Sequence, residues 1–137
     1  MMKSVLRDSI NMFGSLVLFY FSIPKLMASE KSVKGFAQFG EYLKIDGVAL
    51  MYVTGTIELV VVLLFSISII CRNNRYKIIT SFFGNMLLLG LMAGAILTET
   101  FIRPGKAPFL LFLGILLGLL SVIQIVSGLK PLRRRGE

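Results

Sequence analysis

Residues 54–70 read TGTIELVVVLLFSISII, an apolar run that contains a single carboxylate, Glu58. Three other runs of similar character occur, and the four runs cover residues 6–27, 48–71, 78–98 and 107–128. Each has about 20 residues or more, the length that a helix needs to cross roughly 30 Å of hydrocarbon. None alternates apolar and polar residues as a barrel strand does. The sequence therefore predicts an all-α protein, a single membrane domain built as a bundle of four transmembrane helices.

The composition argues against a soluble protein. Hydrophobic residues make up 55% of the 137 residues, against about 45–50% in soluble domains. A soluble bundle would also show polar helix faces, which these runs lack. The formal net charge of +8 is compatible with nucleic-acid binding. The basic residues, however, flank the apolar runs, as they do where membrane helices meet anionic headgroups. We therefore expect membrane lipids as partners and no nucleic acid.

Lysine and arginine positions predict the orientation of the chain. Nine of the 15 lie at the amino end up to Arg7, between the second and third runs, or after the fourth run, and six lie from Lys25 to the second run or between the third and fourth runs. Because cytoplasmic loops collect basic residues, we expect both termini in the cytoplasm, with residues 129–137 as a basic tail. The expected compartment is the plasma (inner) membrane of a prokaryote. A cleaved signal peptide is the alternative, although the first run is longer than the apolar part of such a peptide.

The connection over residues 29–47 carries a helical pattern of its own. Apolar or small residues recur there every three or four positions, with polar residues between them; they are Val33, Phe36, Ala37, Gly40 and Leu43. This spacing predicts an amphipathic segment in the outer loop between the first two transmembrane helices. Such a helix would lie on the outer membrane surface or over the mouth of the bundle. An ordinary ordered loop is the alternative.

Small and amide-bearing residues inside the runs predict helix contacts. Gly90 and Gly94 form one G-x-x-x-G pattern, and Gly114 and Gly118 form a second. Such pairs let two helix backbones approach closely, either within the bundle or between two copies in a homodimer. The amides of Asn85 and Gln124 are suited to hydrogen bonds between helices.

The residue inventory limits the chemistry. The chain has one cysteine, Cys71, and no histidine, so an internal disulfide, a bis-histidine haem site and a histidine-rich metal site are not available to it. Neither a phosphate-binding loop nor a G-x-S-x-G nucleophile motif occurs. We therefore expect no haem, no metal and no catalytic residue, and activity as an enzyme only with the help of a partner.

Glu58 is the residue that most needs a physical explanation. A charged side chain at the centre of a membrane helix costs about 2.5–3.5 kcal/mol on insertion scales. Glu58 lies six residues after Tyr52, which puts it about 9 Å inside an outer boundary at that tyrosine. Lys25 lies 18 residues after Arg7, a rise of about 27 Å. Lys25 and Glu58 therefore reach similar depths in the outer half of the membrane.

This depth count predicts an ion pair between Lys25 and Glu58. The pair would either tie the first two helices together or line a polar pocket that opens outward. The third alternative is a protonated Glu58 without a cationic partner. Thr54 lies one turn before Glu58, while Glu99 and Arg103 lie at the outer end of the third run. Thr54 is placed to hydrogen-bond to Glu58. Glu99 and Arg103 would either extend the polar cluster around the pair or form a solvated pair at the end of the helix.

Three stretches of the chain resemble the DoxX-like family of small membrane proteins. They are FYFSIPKLMASEKSVKGFAQFG at 19–40, GTIELVVVLLFSI at 55–67 and GLMAGAIL at 90–97. The resemblance implies a four-helix membrane bundle, in which the lysine and glutamate of the family correspond to Lys25 and Glu58. Members often have a histidine near the end of the third helix, where this chain has Thr98 and Glu99, so chemistry by that histidine is not expected here.

The resemblance also suggests a function. DoxX-like proteins are linked to redox systems, as a subunit of thiosulfate:quinone oxidoreductase and in complexes with soluble sulfur-handling or superoxide-removing enzymes. By this resemblance we expect a non-catalytic membrane subunit or accessory of a redox complex, with a lipid or quinone held near Lys25 and Glu58. The alternative is a membrane chaperone or carrier of small hydrophobic ligands, because related branches act in that way. An enzyme that moves a proton through Glu58 onto a quinone-like substrate is a third hypothesis.

Overall fold

The computed structural model describes residues 2–102 and 108–134, and these ranges form five α-helices. The helices are α1 (Met2–Leu26), α2 (Glu30–Leu43), α3 (Gly47–Ile70), α4 (Asn74–Phe101) and α5 (Pro108–Arg134). Four of them, α1, α3, α4 and α5, are long and apolar enough to cross a membrane. The prediction of an all-α fold is therefore confirmed for the described residues, and the four candidate membrane-spanning helices agree with a multi-pass membrane protein.

Three of these helices, α1, α4 and α5, extend by several residues beyond the apolar runs. α4 begins at Asn74, four residues before the predicted run, because the side chain of Asn73 accepts a hydrogen bond from the backbone N–H of Arg75. α5 continues to Arg134, so the first part of the basic tail is helical. Hydropathy marks where the hydrocarbon ends, whereas charged residues continue a helix readily once it has left the hydrocarbon.

The helices pack in chain order. α1 lies against α3, α3 against α4, and α4 against α5, while α1 and α5 make few contacts. A buried apolar cluster occupies the middle of the bundle and consists of Leu18, Val61, Phe65, Leu88, Met92 and Leu117. The start of α1, the end of α3, the start of α4 and the end of α5 lie at one end, which we call the basic end. The opposite end, where α1 meets α2 and α3, is the α2 end.

The ring of Phe65 lies between two glycines at the centre of this cluster. A Cβ atom added to Gly84 of α4 would lie 2.6 Å from Cε1 of Phe65, and one added to Gly14 of α1 would lie 3.3 Å from Cε2. The absence of a side chain at both positions lets α1 and α4 approach the same ring from its two sides. Phe65 thereby holds three helices together.

The α2 end has a tight corner between α2 and α3. Ser29 caps the start of α2, and the carboxylate of Asp46 accepts hydrogen bonds from the backbone N–H groups of Val48 and Ala49 at the start of α3. A Cβ atom on Gly47 would lie 2.2 Å from the carbonyl oxygen of Phe36. Only glycine therefore fits where α3 begins against α2.

The two G-x-x-x-G patterns have different surroundings. Gly114 and Gly118 are buried beside α4, where added Cβ atoms would lie 3.4 Å from Ile96 and 3.8 Å from Met92. Gly90 and Gly94 are exposed, and within the described ranges nothing lies within 4 Å of a Cβ atom added at either one. Of the two alternatives for Gly90 and Gly94, the described residues show no packing of these glycines inside the bundle. A contact with a second copy at this face stays a prediction.

Candidate functional site

Lys25 of α1 and Glu58 of α3 form an ion pair in the α2-end half of the bundle. The Lys25 ammonium donates a hydrogen bond to Oε1 of Glu58. The Glu58 side chain is 6% exposed and that of Lys25 is 16% exposed, so the carboxylate is the more deeply buried member. A buried charge of this kind is retained where an opposite charge and hydrogen bonds compensate it.

The packing of α1 on α3 brings the two side chains together. Gly55 lies almost one turn before Glu58, and a Cβ atom at Gly55 would lie 3.2 Å from Cβ of Lys25 and 3.2 Å from Cγ of Leu26. Because Gly55 has no side chain, α1 approaches α3 closely beside Lys25 and Leu26. The Lys25 ammonium also lies 6.0 Å from the centre of the Phe21 ring, at the limit of a cation–π contact.

The second carboxylate oxygen of Glu58, Oε2, is buried and has no hydrogen-bond partner in the described part of the chain. Native structures satisfy nearly all buried polar atoms, because an unmade hydrogen bond costs about 1–3 kcal/mol. A group that donates an O–H or N–H to Oε2 would remove this cost. The Lys25 ammonium has three protons, and within the described residues it makes one hydrogen bond, to Glu58. An acceptor could therefore bind beside that donor.

The described part of the chain contains two of the other predicted members of the cluster, Thr54 and Glu99. The hydroxyl of Thr54 donates to the carbonyl oxygen of Leu50 at 2.8 Å, so the expected bond to Glu58 is not formed. Glu99 is half-buried near the end of α4. Arg103, its predicted neighbour, lies outside the described residues. Hydroxyl groups in helices commonly bond the carbonyl one turn earlier, and for Thr54 that local bond is the one formed.

Two open grooves flank α2. One has a volume of about 500 Å³ and is formed where α2 turns into α3, by residues that include Gly40, Glu41, Lys44 and Asp46. The other, of about 370 Å³, lies between α2 and Ile102 at the end of α4. Neither groove is lined by Lys25 or Glu58. A ligand would therefore reach the pair along the partly exposed side chain of Lys25 and not through these grooves.

A second polar cluster lies deep in the basic-end half and joins α1, α3 and α4. Nδ2 of Asn11 donates to Oγ of Ser81 at 2.9 Å and to Oγ of Ser68 at 3.4 Å. Asn85 donates to the carbonyl oxygen of Ser81 at 2.8 Å and lies 3.5 Å from Oδ1 of Asn11. All four side chains are buried. Hydrogen bonds of this kind stabilise contacts between membrane helices.

Sequence reasoning found only part of this polar cluster. It identified Asn85 and Gln124 as interhelical residues, and Gln124 of α5 does donate to the carbonyl oxygen of Arg7 in α1, at 3.4 Å. Asn11 was not predicted, although an amide side chain within an apolar run indicates a contact between helices. The two serines gave no signal, because a serine in a membrane helix bonds as readily to its own backbone.

A group of charged residues forms ion pairs at the basic end of the bundle. Nζ of Lys77 lies 3.2 Å from Oδ2 of Asp8, and Nε of Arg7 lies 3.7 Å from Oδ1 of Asp8. Within the described ranges no group of three or more His, Cys, Asp or Glu side chains could hold a metal ion. The ion pair between Lys77 and Asp8 joins α4 to α1 at this end.

Comparison of the chain with known protein families, with curated proteins and with solved structures gives no match. The resemblance to the DoxX-like family therefore rests on the short stretches around Lys25, Glu58 and Gly90, and it stays a prediction.

Proposed function

We propose that the chain is a non-catalytic integral membrane subunit, or accessory protein, of a redox complex. In this proposal Lys25 and Glu58 hold the polar headgroup of a lipid or quinone. The redox assignment is drawn from the resemblance to DoxX-like proteins. The role of the pair is drawn from its geometry.

The observation that carries the proposal is Oε2 of Glu58, which has no hydrogen-bond partner among the described residues and lies beside the Lys25 ammonium. A hydroxyl group, as in a quinol or a glycerol headgroup, would donate to Oε2. A carbonyl group, as in a quinone or an ester, would accept from the ammonium. One headgroup could satisfy both atoms while its apolar tail lies among the exposed apolar side chains of the bundle, such as Leu16, Phe19 and Tyr20 of α1.

The proposal includes an orientation. We infer that α2 is amphipathic and lies along the outer membrane surface, with both termini in the cytoplasm of a prokaryotic cell. Phe39 of α2 is buried against the rest of the bundle, whereas Lys31 and Lys34 are exposed. Tyr42 and Tyr52 are exposed at the same end, and tyrosine is a residue typical of membrane interfaces.

The direct test is to purify the protein from membranes in a mild detergent and to extract and identify the lipids and quinones bound to it. We expect a lipid or quinone in stoichiometric amount with the natural chain and its loss from the Glu58→Gln variant. Glu30→Gln, which neutralises an exposed carboxylate at the start of α2, is the matched control and should retain the ligand. Equal ligand content in all three folded proteins would contradict a headgroup site at Glu58.

The redox role needs a separate test, because the site could exist without it. Affinity capture of the full chain from membranes, followed by mass spectrometry, should return redox proteins as the dominant partners. A broad set of unrelated membrane proteins would instead support the alternative, a membrane chaperone or carrier, and would contradict the redox assignment.

A further inference from the structure

We propose that the basic end of the bundle is a docking face for the headgroups of anionic phospholipids, formed by Arg72, Arg75, Lys130, Arg133 and Arg134. All five side chains are exposed. They belong to three separate parts of the chain, the α3–α4 connection, the first turn of α4 and the last turns of α5. The proposal is independent of the pair at Lys25 and Glu58.

The antiparallel register of α4 and α5 brings these parts to one level. A Cβ atom on Gly128 of α5 would lie 3.7 Å from the ring of Phe82 of α4. Six residues further along α5 is Arg134, and six residues earlier on α4 is Tyr76. Both steps correspond to about 9 Å along the helix axis. Arg133 and Arg134 therefore lie at the level of Tyr76 and of its neighbour in the chain, Arg75.

Within the described ranges, carboxylates do not compensate the positive charges at this end. The one carboxylate that the described residues supply here is Asp8, and it is already paired with Lys77 and close to Arg7. The α2 end differs, because its exposed Lys31, Lys34 and Lys44 are matched by three exposed carboxylates, Glu30, Glu41 and Asp46. Among the described residues, the basic end is thus the end with a concentrated positive charge.

The position of the face identifies the partner. α3 ends its candidate span at Ile70 and α5 at Lys130, so the five cations lie where the helices leave the hydrocarbon and meet headgroups. Arginine binds phosphate through two parallel hydrogen bonds, and Tyr76, which is 58% exposed, is of a residue type that settles at the interface. An anionic phospholipid supplies both the phosphate and a tail that stays in the membrane.

The test uses native mass spectrometry of the detergent-solubilised chain, titrated with phosphatidylglycerol or with phosphatidylcholine of the same acyl chains. We expect preferential binding of phosphatidylglycerol that weakens as salt increases. The double change Arg133→Gln and Arg134→Gln should lower this preference by roughly tenfold or more, since each charge near a membrane surface contributes about fivefold. Arg133→Lys with Arg134→Lys retains the charge and should retain most of the preference.

The matched control is Lys31→Gln with Lys34→Gln, which removes two exposed cations from the α2 end and should leave the preference unchanged. Equal binding of the two lipids by the natural chain would overturn the proposal. So would an equal loss of preference in the control, or displacement of phosphatidylglycerol by millimolar inorganic phosphate, which would identify a site for a free anion.

Discussion

The contact between Gly84 and Phe65 makes a sharp prediction about stability. In the Gly84→Ala variant the new Cβ would lie 2.6 Å from Cε1 and 2.8 Å from Cδ1 of the Phe65 ring, closer than carbon atoms pack, so the ring must move. Gly14 limits that movement from the other side, where a Cβ position lies only 3.3 Å from the ring. Overpacking of a filled core costs about 1–3 kcal/mol.

Gly90→Ala is the matched control, because Gly90 lies on the same helix and its Cβ position is open. Alanine favours the helix by up to about 1 kcal/mol over glycine at both positions, so that gain cancels in the comparison. We expect Gly84→Ala to be less stable than Gly90→Ala by about 1–3 kcal/mol, measured by reversible unfolding in mixed micelles. Phe65→Leu should remove most of this difference. Equal stability of the two alanine variants would refute the packing of Phe65 between α1 and α4.

Other changes test other parts of the bundle. Asn11→Ala removes hydrogen bonds to both α3 and α4 and should lower the free energy of unfolding by about 1–2 kcal/mol in the same assay. Ser66→Ala is the control and should lower it less, because the Ser66 hydroxyl bonds a carbonyl of its own helix. Equal losses of stability would argue against the buried polar cluster. Gly47→Ala places a Cβ against the Phe36 backbone and should release α2 from α3, detected as faster hydrogen exchange over residues 30–43 with α4 and α5 unchanged. Unaltered exchange in α2 would contradict the tight corner.

Much of the fold was predictable from the sequence, because the hydrocarbon core imposes a length and an apolar character on each span. The same constraint predicted a contact between Lys25 and Glu58, since a fixed rise per residue converts sequence position into depth. The helix ends were less predictable. Asn73 and the basic residues after Gly128 extend two helices beyond the membrane, where hydropathy gives no signal.

The side-chain partners were predictable only in part. A G-x-x-x-G pattern indicates a helix surface without side chains, but it does not indicate which helix packs on that surface. The sequence therefore does not distinguish Gly114 from Gly90, although Gly114 is buried and Gly90 is exposed. Thr54 has a nearby backbone carbonyl that satisfies its hydroxyl, and sequence alone does not show that this local bond is preferred to Glu58.

The most direct test of the central claim, that Lys25 and Glu58 form a coupled buried pair, is a double-mutant cycle of unfolding free energies. Glu58→Gln alone leaves the Lys25 ammonium without its counter-charge and should destabilise the protein more than the double change with Lys25→Met. The expected coupling energy is at least about 1 kcal/mol. Additive effects of the two single changes would show that the two side chains do not stabilise each other and would contradict the claim.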